Sequence, residues 1–230
     1  MSTSAVAVGS AKPLRFWNTT NGKKAVMATT GAVLFGFVVV HLAGNLQIFR
    51  GPEAFNGYAE SVHALGGLLW LARTVLLIAV LLHIWSTIQL AVVKSHARPI
   101  AYTRYQPSAS TYASRSMYMS GPIIAAFVVY HLLQFTFGMG GTPYDPADAY
   151  GNVIAGFRIP IIAIAYVIAM ALLCLHLRHG LWSALQTLGL NHPRYTPHLR
   201  VLATLIALLI FFGFISIPIS VMARVVPQIV

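Results

Sequence analysis

The sequence predicts an all-α membrane protein, a bundle of five transmembrane helices. Of the 230 residues 57% are hydrophobic and only 8% are charged, and the mean hydropathy is +0.74. A soluble domain carries about 25% charged residues, so this chain has no water-compatible surface as a monomer. Five stretches are long enough to cross a hydrocarbon core, which takes about 20 apolar residues. Clusters of glycine, proline and charge fall between them. The length suits one compact bundle, expected over residues 25–225, behind a tail over residues 1–24.

The first span is expected at Ala25–Phe49, after Lys12, Arg15, Lys23 and Lys24. No small-residue cleavage site follows these basic residues, so the run reads as a span and not as a signal peptide. The remaining spans are expected at Gly66–Val93, Met117–Phe137, Phe157–Leu188 and Leu199–Val225. Arg50-Gly51-Pro52, Arg98-Pro99, Gly140-Gly141-Thr142-Pro143 and Asn191-His192-Pro193 break the chain between them. The single cysteine, Cys174, lies inside an apolar run and has no partner for an internal disulfide. It reads as a small buried hydrophobe.

The net charge of +11 would point to nucleic acid in a soluble protein. Its distribution points elsewhere. Basic residues gather in the tail, in the second connection (Lys94, Arg98, Arg104, Arg115) and around the fourth (Arg178, Arg194, Arg200). The four acids, Glu53, Glu60, Asp145 and Asp148, all lie in the first and third connections. The positive-inside rule then places the N-terminus in the cytoplasm and the C-terminus outside. The basic loops can also serve as a docking face for cytoplasmic partners.

Ionisable groups inside spans are costly and usually functional. Histidines 41, 83, 131 and 176 lie within the apolar runs. At a rise of about 1.5 Å per residue, His41 and His131 stand about 21–24 Å from the cytoplasmic starts of their spans. His83 and His176 stand about 26–29 Å from the outer starts of theirs. The four therefore sort into an outer pair, His41 with His131, and an inner pair, His83 with His176. Each pair comes from two helices at one height, as a bis-histidine haem requires. Gly44 and Gly180, three and four residues after His41 and His176, would leave room for a flat ring. Thr30-Gly31 before His41 and Ser120-Gly121 before His131 have the same spacing, the mark of a short internal repeat. His179, one turn past His176, competes with it as a ligand. The other readings of intramembrane histidines are interhelical hydrogen bonds or a proton-coupled transporter. The second needs polar groups at mid-membrane depth, and the spans offer few acids.

Several motifs carry a resemblance. Lys24-Ala25-Val26-Met27-Ala28-Thr29-Thr30-Gly31, His41-Leu42-Ala43-Gly44-Asn45-Leu46 and His83-Ile84-Trp85 are similar to the cytochrome b anchor subunit of succinate:quinone oxidoreductase. So are Tyr130-His131-Leu132-Leu133-Gln134-Phe135-Thr136-Phe137-Gly138 and His176-Leu177-Arg178-His179-Gly180-Leu181-Trp182-Ser183. The chain looks like the single-polypeptide, five-helix, dihaem class. That resemblance implies two haems b and menaquinone as substrate. It also implies two partners on the cytoplasmic face, a flavoprotein subunit with FAD and an iron–sulfur subunit, and a place in a bacterial cytoplasmic membrane. It favours His176 over His179, because the fourth-span ligand of that class has a glycine four residues later. No dicarboxylate site is expected in this chain. Anchors of nitrate reductase, hydrogenase or formate dehydrogenase share its size and haem content but not the pattern of one ligand on each of four helices. Cys174 stands where some dihaem members carry a glutamate, which puts a carboxylate proton path in doubt.

Three residues at the outer face complete the expectations. Arg158, in Gly156-Phe157-Arg158, either pairs with a propionate of the outer haem or anchors the helix at the interface. Glu60, in Tyr58-Ala59-Glu60-Ser61-Val62-His63, is the first candidate for proton exchange with quinone, and His63 is the second. A solvated loop acid is the plain alternative for Glu60.

Overall fold

The computed structural model describes residues 16–97 and 112–227. Lys12, Arg15, Arg98, Arg104 and the side chain of Arg115 lie outside the described residues, as does most of the expected tail. The described chain is helical, with no strand. Seven α-helices follow in order: α1 (Thr20–Asn45), α2 (Pro52–His63), α3 (Gly67–His96), α4 (Tyr112–Phe135), α5 (Ala149–Phe157), α6 (Pro160–Thr187) and α7 (Thr196–Met222). Five of them, α1, α3, α4, α6 and α7, are long and apolar enough to span a membrane.

Local chemistry sets the ends. Thr19 caps α1 by accepting from the Gly22 amide at 3.0 Å, so α1 begins five residues ahead of the expected boundary. At its far end Asn45 donates to the His41 carbonyl at 2.8 Å, and the chain tightens into a 3-10 turn over Leu46–Arg50. Gly51 then turns at φ +93°, a region that glycine enters without steric cost. Pro52 follows at the first turn of α2, where its missing N–H costs nothing.

Two connections differ from the expectation. The first is a twelve-residue helix, α2, and not a simple loop. The third contains a second short helix, α5, which takes Phe157 away from the fourth span. The break falls at Arg158 and Ile159 because Pro160 starts α6, and the residue before a proline is pushed out of helical geometry.

The spans pack as two pairs, α1 on α3 and α4 on α6, joined through α1 against α6. α7 lies against α6 and α1. Close approach at the joint comes from small residues, as in other membrane bundles. Ala207 is fully buried, and a Cβ on Gly213 would stand 2.9 Å from Leu42 Cδ2. Leu42, Leu177, Ala207 and Ile210 form the cluster there, with Cys174 packed against it.

The larger core lies at the end of the bundle that carries the acids. Ile48, Phe55, Tyr150, Val153, Ile154, Phe157, Tyr166, Ile217 and Val221 pack together there. Helices α2 and α5 are pinned to each other by Asn56, which donates to Asp148 Oδ1 at 2.9 Å and accepts from the Tyr150 amide at 2.8 Å. Asp148 also caps α5 through the Gly151 amide. Tyr150 is fully buried and donates to the Pro227 carbonyl at 2.7 Å, with burial raising its phenol pKa. At the opposite end Lys94 lies 5.2 Å from the Tyr118 ring and Arg200 4.8 Å from Trp182, cation–π contacts that hold basic side chains at the helix ends.

Candidate functional site: two facing histidine pairs

The bundle brings the four histidines together in two pairs at two heights. On the acidic side His41 of α1 faces His131 of α4, with ring centroids 5.8 Å apart and planes at 89°. Toward the basic end His83 of α3 faces His176 of α6, at 6.2 Å and 55°. His179 is half-buried one turn further on. The ring opposite His83 is that of His176.

The surroundings fix which nitrogen each ring presents. His83 Nδ1 lies 3.2 Å from the Met27 carbonyl and 3.3 Å from Thr30 Oγ1. A carbonyl only accepts, so Nδ1 carries the proton and Nε2 keeps its lone pair. Thr30 gives its own proton to the Val26 carbonyl at 2.7 Å, which leaves its oxygen able to accept. In the other pair His131 Nδ1 lies 3.2 Å from the Tyr166 oxygen. The Tyr166 hydroxyl donates to Gln134 Oε1 at 2.9 Å, so toward His131 the phenol accepts and His131 Nε2 is again free. Tyr166 is 6% exposed and Gln134 1%. Aromatic rings complete the outer pair: Phe37 stacks on His41 at 5.2 Å, and Phe214, Phe127 and Phe135 lie at 5.6–6.0 Å from one or other histidine.

This donor set fits a haem and does not fit a bare metal ion. An imidazole nitrogen binds a metal at about 2 Å with its ring centre about 1 Å further back, so two imidazoles on opposite sides of one iron have centres roughly 6 Å apart. Both pairs have that separation. No group of three or more His, Cys, Asp or Glu able to hold an ion occurs among the described residues. A haem, which brings its own ring nitrogens, is a group that two such imidazoles would fit. His176 Nδ1 is buried with no hydrogen-bond partner, and a buried polar atom left so calls for an explanation.

The glycines divide. A Cβ on Gly180 would meet nothing within 4 Å, so there is open space at this position, one turn after His176 on α6. The room left by Gly44 is taken by the Tyr58 ring, and this glycine seats α2 against α1 one turn beyond His41. Gly31, which the sequence marked only as part of a repeat, is the glycine close to His83: its Cβ would stand 3.3 Å from the ring.

Arg158 is exposed at the end of α5 and lines a cavity of about 320 Å³ with Tyr144, Asp145, Asp148 and Asn152. Glu60 and His63 are exposed on the last turn of α2. The partners Tyr166 and Gln134 escaped the sequence reading. Gln134 sits three residues after His131 on the same helix face, a readable signal. Nothing marked Tyr166, an aromatic within an apolar run.

Comparison with curated proteins and with solved structures finds no match. The family model described as succinate dehydrogenase/fumarate reductase transmembrane subunit matches residues 94–213, more than half of the 230 residues. The matched range holds His131, Tyr166 and His176, one member of each facing pair and the hydroxyl that brackets the outer one. The chain belongs to the succinate dehydrogenase/fumarate reductase transmembrane subunit family.

Proposed function

We propose that this chain is the dihaem membrane anchor of a succinate:quinone oxidoreductase, joining an iron–sulfur subunit to menaquinone in a bacterial cytoplasmic membrane. The observation that carries the reading is the pair of facing imidazoles at two heights, 5.8 and 6.2 Å apart. Haem b bound at each height would supply a one-electron carrier. The rest falls to the polypeptide. His41 with His131, and His83 with His176, would hold the two groups, and the contacts of His83 and His131 leave their Nε2 lone pairs free for it. Met27, Thr30 and Tyr166 hold the opposite nitrogens of His83 and His131 protonated and fix the ring orientations. The apolar spans keep water from both levels.

The basic end is the cytoplasmic face in this proposal, by the positive-inside rule. It docks the iron–sulfur subunit, which in turn carries the FAD subunit where succinate is oxidised. The acidic end faces outward. There Glu60, or His63 as second choice, exchanges protons with quinone, and Arg158 would pair with a propionate of the outer haem. Support for Glu60 is its position on α2, the helix whose Tyr58 packs at Gly44 beside His41. The test is purification of the chain with its partners. Succinate should reduce a b-type absorbance in the complex, and a flavoprotein should copurify. A complex without flavoprotein, or a b-type band that succinate leaves oxidised, would overturn the reading.

A further inference from the structure

The two helix pairs repeat one another more closely than their histidines alone indicate. Met27-x-x-Thr30-Gly31 precedes His41 on α1, and Met117-x-x-Ser120-Gly121 precedes His131 on α4 at the same spacing. Eleven residues make three turns and about 20°, so Thr30 lies on the face of α1 that bears His41. Ser120 lies likewise on the face of α4 that bears His131. In the first pair Thr30 meets Nδ1 of His83 on the facing helix. In the second pair the matching groups are both orphans. Ser120 is 0% exposed and its hydroxyl has no partner, and Nδ1 of His176 is buried with none.

The helix register brings these orphans to one height. α4 and α6 run antiparallel and meet where His131 touches Tyr166. Eleven residues back along α4 stands Ser120, and ten residues on along α6 stands His176. At about 1.5 Å per residue the two displacements agree within about 2 Å. Two buried unpartnered groups at one level of a low-dielectric bundle are each costly, and one proton shared between them satisfies both.

We propose that Ser120 is a positioning residue: its hydroxyl accepts the Nδ1–H of His176 and aims Nε2 at the inner haem iron, as Thr30 does for His83. This rests on the dihaem reading above. It gives the bundle a reciprocal plan. The helices that supply the outer ligands, α1 and α4, also supply the hydroxyls that orient the inner ones. In the other direction α6 supplies Tyr166 for the outer ligand His131.

A hydrogen bond accepted from a ligating imidazole makes it a better donor and favours the oxidised metal. The experiment is an anaerobic redox titration of the assembled complex, with haem content measured in parallel. Native complex should titrate as two b components, and failure there overturns the dihaem reading itself. Ser120→Ala should raise the midpoint of one component by up to tenfold in its equilibrium, about 59 mV for one electron. Thr30→Val should move that same component and Tyr166→Phe the other. Ser120→Thr, which keeps the acceptor, should restore the native value. With both haems present, unchanged midpoints in Ser120→Ala, a shift of the component that Tyr166→Phe moves, or an equal shift in Ser120→Thr overturns the proposal. If Ser120→Ala loses one haem, retention of both in Ser120→Thr supports it and loss in both variants overturns it.

Discussion

At the scale of the residue, the four histidines differ in what holds them. His131 is bracketed by a phenol whose proton is committed to Gln134. Removing that oxygen in Tyr166→Phe leaves His131 Nδ1 and Gln134 Oε1 unpaired in a buried place, at about 1–3 kcal/mol for each group. Both haems should be retained, with a lower thermal midpoint of the complex and an altered potential of the outer one. Calorimetry and redox titration read these two effects, and an unchanged thermal midpoint would show that the network carries no stability. The ligand variants behave differently. His41→Ala and His131→Ala should each remove the outer haem alone, and His83→Ala and His176→Ala the inner haem alone, because a missing axial imidazole leaves the iron undercoordinated. His179→Ala should keep both. Spectra of the five variants decide: loss of the inner haem in His179→Ala with retention in His176→Ala would reverse the ligand assignment. The height of each histidine was legible in the sequence, because rise per residue is nearly constant. The brackets were not, since spans that are apolar on every side carry no period to say which face meets which helix.

At the scale of the element, the short helices α2 and α5 do more than connect. Their packing on the acidic ends of the spans builds the larger core. The sequence held signals for both: Pro52 before Phe55, Ala59 and Val62 at helical spacing, and Asp148 as a cap before Ala149. Both are too short to span a membrane and are flanked by prolines, so they read as loop when only membrane spans are sought. The seat of α2 is testable at Gly44. A Cβ there meets the Tyr58 ring, so Gly44→Ala should displace Tyr58 and loosen α2, at about 1–3 kcal/mol for overpacking. Faster proteolysis between Gly51 and Gly66 would report it; unchanged protection would mean that Tyr58 has another place to go. Glu60 belongs to the same element. Glu60→Gln removes the titrating group at nearly constant size. Both haems and succinate oxidation by an artificial acceptor should persist while quinone-linked turnover falls at least tenfold, a loss within the range of a general acid–base group. Unchanged turnover would remove Glu60 from the mechanism and leave His63 as the candidate.

At the scale of the whole molecule, the spans expose apolar side chains along most of their length, such as Leu71, Ile78, Leu81 and Leu209, and fully buried residues concentrate at the acidic end and along the α6–α7 seam. That is the pattern of a bundle whose solvent is lipid, where helices associate by close packing of small residues. Five spans, their order and the separation of acids from bases were legible from composition alone, because the bilayer demands length and apolarity and little else. The central claim, that facing imidazoles at two heights hold two haems, has a direct measurement. Pyridine haemochrome analysis of the purified chain, set against its protein concentration, should give two haems b per chain, with no covalent attachment. One haem per chain, or none, would contradict it.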